Sequence, residues 1–127
     1  MSRKEMTERI IKALKNEYVN FLAHPTGRLI GRRDAYEVDV EKVIDAAKEN
    51  NVFLEINAFP DRLDLNDVHA KMAKDKGVRM VIGTDAHSLD HMRFMRYGIA
   101  TARRGWLEKK DVLNTFSLKD IEKTLSR

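Results

Sequence analysis

The sequence predicts an α/β fold in which short parallel strands alternate with amphipathic helices. Three apolar segments of strand length, at 18–23, 52–58 and 78–83, contain at most one charged residue each. Stretches with helical spacing of apolar residues separate them. Apolar character along nearly the whole segment is typical of strands covered by helices on both faces. We therefore expect about three parallel strands with flanking helices.

The chain begins with a predicted helix. Ser2 and Glu5 have the spacing of a capping box, and apolar residues follow at helical intervals, at Met6, Ile10 and Leu14. The segment at 18–23 (YVNFLA) is apolar, aromatic and β-branched, which favours a buried strand. The proline and glycine of 24–28 (HPTGR) end this strand and begin a loop.

A second helix and a second strand follow this loop. Asp39 is suited to cap the helix, whose apolar face comprises Val40, Val43, Ile44 and Ala47. The segment at 52–58 (VFLEINA) is the second predicted strand, and Pro60 ends it.

The rest of the chain repeats this alternation. Asp64 with Asp67 is predicted to open a third helix, which Gly77 ends. The strand at 78–83 (VRMVIG) follows, and a helix is expected over 89–102, where the stripe Met92, Met95 and Ile99 predicts a core-facing side. Ser117 with Asp120 begins the last helix.

Length and composition exclude several classes of protein. The chain of 127 residues suits one domain, 1–127, and its 24 Lys and Arg against 20 Asp and Glu give a net charge of +4. No cysteine is present, which excludes disulfides and Cys-ligated metal sites. No apolar run approaches the ~20 residues of a membrane span, so we expect a soluble, cytoplasmic protein. The charge permits a phosphate-rich partner without requiring one.

Polar residues follow each predicted strand at the end where parallel sheets collect binding groups. His24 follows the first strand, Glu55 and Asn57 close the second, and Asp85 and His87 follow the third. An Asp-x-His pair can place a carboxylate and an imidazole on one metal ion, a donor set that suits zinc, manganese or iron. His24 is the candidate third ligand. The alternative is that Asp85 caps the next helix and His87 is an ordinary surface residue.

Glu55 and Asn57 each leave two interpretations open. A carboxylate between Leu54 and Ile56 needs a partner, and an ion pair with Arg28 or Arg62 is favoured over metal ligation. The Asn57 side chain either hydrogen-bonds groups of the site or satisfies backbone at the end of the strand.

Arginines cluster in the loops, and guanidinium groups recognise phosphate with two parallel hydrogen bonds. Arg28 is the strongest candidate because it lies four residues past His24, and Arg62 and Arg103 are further candidates for a phosphate-binding rim. For each single arginine, the alternative is solvated surface charge. His69 and His91 lie within predicted helices and are interpreted as surface residues.

Several motifs occur together and in order. They are HPTGR at 24–28, EINA at 55–58, RLDL at 62–65, TDAHS at 84–88, the stretch at 97–107 that ends in ARRGWL, and DVLNT at 111–115. In this combination the chain resembles the C-terminal part of the PHP (polymerase and histidinol phosphatase) domain of bacterial and archaeal family X DNA polymerases.

The resemblance implies a fold and an activity. It implies the C-terminal portion of a distorted, TIM-like (β/α)7 barrel with up to three manganese or zinc ions at the strand ends. It also implies hydrolysis of phosphoesters, with 3′-5′ exonuclease activity in DNA repair. By motif match, His24, Asp85 and His87 would bind metal and Arg28 would lie near the substrate phosphate. Phe59 departs from the family pattern, where a small polar residue is expected.

The family's H-x-H motif and its other upstream ligands do not occur in this sequence. We therefore expect a piece of a longer polymerase that carries an incomplete metal site and is inactive or impaired by itself. Its expected partners are DNA, the upstream half of the barrel and the polymerase domain. The alternative is a non-enzymatic half-barrel that binds a partner or associates with itself through an exposed sheet edge.

Overall fold

A computed structural model of the chain describes residues 1–126 and contains one three-stranded parallel sheet. Its strands are β1 (Phe21–Leu22), β2 (Phe53–Asn57) and β3 (Met80–Gly83), in the order β1-β2-β3. Helices connect them, so the predicted α/β class with three parallel strands and flanking helices is confirmed.

The structure has five α-helices in residues 1–126. They are α1 (Arg3–Leu14), α2 (Val40–Asn50), α3 (Asp67–Asp75), α4 (Met95–Arg104) and α5 (Leu118–Leu125). Short 3-10 helices occupy Leu89–Phe94, Lys109–Asp111 and Leu113–Thr115. The predicted caps Ser2, Asp39 and Ser117 are confirmed, and Ser2 forms the full capping box with Glu5. None of the helices described is long and apolar enough to cross a membrane.

The core lies where α2 and α4 pack against the sheet, with α1 packed on α2 and α3 packed on α4. All five residues of β2 are buried. The largest fully buried apolar side chains are Leu14, Ile44, Leu54, Ile56, Leu65 and Met80. Burial on both faces explains why β2 lacks the alternation of apolar and polar residues expected of a half-exposed strand.

The first strand is much shorter than predicted. The Asn16 side chain accepts a hydrogen bond from the Tyr18 amide at 2.9 Å, and the Asn16 carbonyl accepts one from Val19 at 3.1 Å. These bonds form a turn in place of the first half of the predicted strand, and Tyr18 is 84% exposed. An asparagine can offer the backbone such local bonds, which compete with strand pairing.

The third helix begins later than predicted. Asn66, rather than Asp64, caps α3 and accepts a hydrogen bond from the His69 amide at 2.9 Å. Asp64 is completely buried and has a different role, described below.

The helix predicted over 89–102 is a 3-10 helix followed by α4, and the core-facing stripe is partly wrong. Met95 packs against the core, but Met92 and Ile99 are exposed. The tighter turn of the 3-10 helix shifts the angular position of the residues before Met95. The buried face of α4 is instead made of small residues, and a Cβ added to Gly98 would lie 2.5 Å from a methyl of Ile82.

The two edges of the sheet differ. Beyond β3, Val112 bridges to Met80, and the Asn114 side chain bonds both the amide and the carbonyl of Ile82, at 2.8 and 2.9 Å. No strand of residues 1–126 pairs with the outer edge of β1, where Phe21 is 49% exposed.

Candidate functional site

Asn57 organises the polar residues at the carboxyl end of the sheet. Its side chain is 1% exposed, and its Nδ2 donates hydrogen bonds to Glu55 Oε1 at 3.1 Å and to Asp85 Oδ2 at 3.2 Å. The Phe59 amide donates to its Oδ1 at 3.1 Å. Both interpretations left open for Asn57 therefore hold: its side chain bonds the carboxylates of Glu55 and Asp85 and also satisfies a backbone amide just past the strand.

Glu55 is a buried carboxylate held by hydrogen bonds. Its Oε1 accepts from the backbone amide of His24 at 3.0 Å as well as from Asn57. Burial raises the pKa of Glu55, while the bonds from His24 and Asn57 oppose that rise. Its Oε2 lies so close to Gly83 that a Cβ there would be 2.6 Å away. No ion pair joins Glu55 to an arginine anywhere in 1–126, so the favoured ion-pair interpretation is wrong.

His24 and Asp85 follow their strands in a left-handed backbone conformation, with φ of 29° and 55°. Such a conformation in residues other than glycine is uncommon and concentrates at functional sites. Asp85 does not cap the next helix, because Ser88 occupies the cap position of the 3-10 helix. The Asp85 side chain is 38% exposed, and its Oδ2 lies 3.8 Å from Arg62 Nε.

His87 lies beside Asp85, in a group of aromatic side chains at the edge of the site. Its Nδ1 lies 2.7 Å from the Asp85 carbonyl, and its amide donates to His91 Nδ1 at 3.0 Å. Phe59 contacts both imidazoles edge-on, with ring centroids 6.3 Å from His87 and 5.2 Å from His91. His91 also stacks on Phe94 at 5.1 Å. His91 is therefore half-buried against Phe59 and Phe94 and is not a surface residue. The sequence signal that could have placed it beside His87 is their spacing of four residues.

The three predicted phosphate-binding arginines occupy different environments. Arg28 donates from Nε to the Arg62 carbonyl at 2.7 Å and from Nη2 to the Leu63 carbonyl, so it clamps the loop after β2. Arg62 is largely buried beside Asp85, and its Nη1 donates to the Arg28 carbonyl at 3.3 Å. Arg103 is exposed at the end of α4, and no bond within 1–126 links its side chain to Glu55 or Asp85.

Asp64 is a buried carboxylate that the sequence interpretation missed. It accepts hydrogen bonds from the amides of Thr26 at 3.0 Å and Gly27 at 2.9 Å, and so fixes the loop that follows β1. Burial raises the pKa of Asp64 despite these bonds. His69 lies nearby, half-buried, and its Nδ1 is buried with no hydrogen-bond partner in the part of the chain described. Burial lowers the pKa of His69.

The side chains at the strand ends are of the types that bind metal ions, but they do not lie close enough together to hold one. Carboxylates of Glu55 and Asp85 with the imidazoles of His24 and His87 are the oxygen and nitrogen donors that manganese or zinc prefers. Asn57 already links the two carboxylates. Within residues 1–126, no three His, Asp or Glu side chains are placed together so that they could hold a metal ion.

Comparison with known proteins supports the resemblance. No family model matches the chain. The chain is 49% identical over 120 residues to the DNA polymerase/3′-5′ exonuclease PolX of Bacillus subtilis (strain 168), which covers 94% of this chain and 21% of that protein. The resemblance to family X DNA polymerases is thereby confirmed.

Two further relatives carry the name "Probable phosphatase". The protein of Thermoanaerobacter sp. (strain X514) is 36% identical over 116 residues, 86% of this chain and 44% of that protein. The protein of Acetivibrio thermocellus is 40% identical over 98 residues, 72% of this chain and 38% of that protein. The chain thus spans about a fifth of the polymerase and less than half of each phosphatase.

Proposed function

We propose that this chain contributes the C-terminal part of a metal-dependent phosphoesterase site of the PHP type, acting on DNA 3′ ends in repair. The observation that carries the proposal is the meeting of Glu55, Asn57 and Asp85 at the ends of β2 and β3. The similarity to a protein named DNA polymerase/3′-5′ exonuclease and to probable phosphatases supports this reaction class.

His24, Asp85 and His87 are the residues proposed to hold a manganese or zinc ion. A bound divalent metal lowers the pKa of a water molecule and stabilises charge on phosphoryl oxygens. Asn57 positions the Asp85 carboxylate through its 3.2 Å hydrogen bond. Arg62, close behind Asp85, supplies a cation for a substrate phosphate.

The chain by itself is proposed to be impaired. Its residues 1–126 bring together no complete set of three ligands, and the aligned part spans less than half of each relative described above. In the proposed whole protein, the remaining ligands come from other segments of the barrel.

Metal binding by the 127-residue chain tests this proposal. We expect calorimetric titration with Mn²⁺ or Zn²⁺ to show weak binding that falls about tenfold in Asp85→Asn or His87→Ala, because removing one ligand-orienting or ligating group typically costs at least that much. Asp90→Asn is the matched control, since Asp90 is exposed and Arg93 is its one ion-pair partner within residues 1–126. Equal affinity in all variants would contradict the site.

Hydrolysis of bis-p-nitrophenyl phosphate by the same samples tests the impaired state. We expect no metal-stimulated release of p-nitrophenol from the unmodified chain. Metal-dependent turnover that disappears in Asp85→Asn would instead show that the chain carries a complete site.

The free outer edge of β1 favours a second candidate, a module that associates with another chain. Phe21 is half-exposed there, and unpaired strand edges are templates for pairing. Sedimentation at increasing concentration tests this candidate. A dimer that Phe21→Lys disrupts would support it, and a monomer at every concentration would exclude self-pairing.

A further inference from the structure

Trp106, the single tryptophan of the chain, is displayed on the surface at an energetic cost. It is 72% exposed, and its backbone φ is 64°. Bulky residues rarely adopt this left-handed conformation, because the Cβ crowds the following carbonyl oxygen. An exposed indole in this conformation gains little from its own fold, which suggests that it serves an external contact.

Hydrogen bonds at the end of α4 fix the backbone of Trp106. The Trp106 amide donates to the Arg103 carbonyl at 2.9 Å, and the Leu107 amide donates to the Ala102 carbonyl at 3.0 Å. This pair of bonds is a Schellman motif, in which glycine usually occupies the position that Trp106 fills. Lys74 Nζ adds a bond to the Trp106 carbonyl at 2.6 Å.

The surroundings of Trp106 are cationic rather than apolar. Residues 103–110 (RRGWLEKK) contain four cations and one acid, and Glu108 pairs with Lys110 at 3.5 Å. Arg104 pairs with Asp67 at 3.0 Å, whereas Arg103 is exposed and has no ion pair in the part of the chain described. Leu107, the only apolar neighbour in this stretch, packs against the core.

This chemistry favours a nucleic acid over a protein. Tryptophan anchors of protein interfaces lie at the centre of well-packed patches, and the neighbours of Trp106 are charged. An exposed aromatic ring beside a free arginine is the arrangement that binds single strands, with the ring stacking on a base and the cation on phosphate.

We propose that Trp106 and Arg103 form a contact for single-stranded nucleic acid, separate from the cluster of Glu55, Asn57 and Asp85 at the strand ends. The indole stacks on one base, and the Arg103 guanidinium binds a neighbouring phosphate. The proposal rests on the proposed function only for the nature of the substrate. It gives Arg103 a place apart from Arg28 and Arg62.

Intrinsic tryptophan fluorescence reports on this contact, because Trp106 is the single tryptophan of the chain. The chain is titrated in EDTA and low salt with an eight-nucleotide oligo-dT and with an abasic oligomer of the same length. We expect saturable quenching by oligo-dT and about tenfold weaker binding of the abasic strand, since base stacking supplies that difference. Absence of quenching, or equal binding of both strands, would overturn the stacking contact.

Substitutions assign the two roles, with fluorescence anisotropy of labelled oligo-dT as the measurement. Trp106→Gly should weaken binding about tenfold without harming the fold, because glycine favours this backbone conformation and the stacking ring is lost. Trp106→Phe should retain most of the affinity. Arg103→Gln should reduce the salt dependence of log affinity by about 0.7, the value for one phosphate contact on a single strand.

Tyr18→Ala is the control, because Tyr18 is an exposed aromatic residue before β1. An equal loss in this variant, or full affinity in Trp106→Gly, would overturn the proposal. The EDTA condition separates the two hypotheses: quenching without metal binding contradicts only the metal site, and metal binding without quenching contradicts only this contact.

Discussion

Two carboxylates flank the end of β2 and have opposite environments. Asp64 is fully buried, and its oxygens accept hydrogen bonds from the amides of Thr26 and Gly27. The side chain of Asp85 is 38% exposed; it accepts a hydrogen bond from the Asn57 side-chain amide and lies 3.8 Å from Arg62. Both residues are linked to Asn57: the Asp64 backbone pairs with the Asn57 backbone, and the Asp85 carboxylate accepts a hydrogen bond from the Asn57 side chain.

The comparison separates structural polar groups from chemically available ones. The Asp64 oxygens are used by the fold, so this carboxylate fixes the loop that carries His24. Asp85 retains oxygen lone pairs that face solvent, which a metal ligand requires. The buried Asp64 carboxylate therefore stabilises the loop, and the accessible Asp85 carboxylate is the one that can bind a ligand.

The same substitution in both carboxylates gives the largest expected contrast. Asp64→Asn places an amide N–H₂ against the donors of Thr26 and Gly27, and we expect it to lower the free energy of unfolding by about 2 kcal/mol. Asp85→Asn keeps the size and the tolerance of the left-handed conformation, so its effect should stay within about 0.5 kcal/mol. Urea denaturation measures both. Equal losses would remove the distinction between the two carboxylates.

Arg28→Lys tests whether Arg28 belongs to the structural side of the comparison. The lysine ammonium cannot reproduce the two-carbonyl clamp on Arg62 and Leu63, so we expect a loss of about 1–2 kcal/mol in urea denaturation. Arg103→Lys, at an exposed position, should change stability by less than about 0.5 kcal/mol. Unchanged stability of Arg28→Lys together with weaker oligonucleotide binding would return Arg28 to the substrate site.

His69→Phe gives the smallest expected effect and tests whether the buried imidazole near Asp64 lowers the free energy of unfolding. Removing the unpaired buried Nδ1 should raise the free energy of unfolding at pH 7 by about 1 kcal/mol. Because burial lowers the pKa of His69 below 6.5, the unfolded chain binds more protons near that pH. Wild-type stability from this group therefore falls as pH drops below 6.5.

The pH dependence is obtained as the difference between wild type and His69→Phe. Asp64, which faces His69, contributes with the opposite sign, since its raised pKa favours the folded state as pH falls. The Arg28 guanidinium also faces His69 and contributes to lowering the pKa of that imidazole. The subtraction removes the Asp64 contribution to first order. A difference that does not change between pH 5 and 7 would contradict a lowered pKa for His69.

Local signals predicted most of the fold. Ser2, Asp39 and Ser117 were identified as caps because a cap bonds an amide two or three residues away. β2 was predicted because burial on both faces leaves an apolar run. The first strand was predicted too long because its composition does not show the competing turn at Asn16.

The candidate site was predicted in its members and not in its contacts. The strand ends were predicted to deliver Glu55, Asn57 and Asp85, and Asn57 does join the two carboxylates. Arg28 was assigned to substrate, yet its guanidinium clamps backbone carbonyls 34 and 35 residues away. No local pattern encodes such a partner.

The sequence by itself determined the α/β class, the helix caps, the order of strands along the chain and the polar residues at their ends, because periodicity and capping depend on neighbours a few residues apart. Only the tertiary structure decided which carboxylate supports the loop after β1 and which stays accessible. Asp64 meets Thr26 across 38 positions and Asn57 meets Asp85 across 28. Whether an oxygen is consumed or free depends on these distant donors, which are brought together only when the sheet forms.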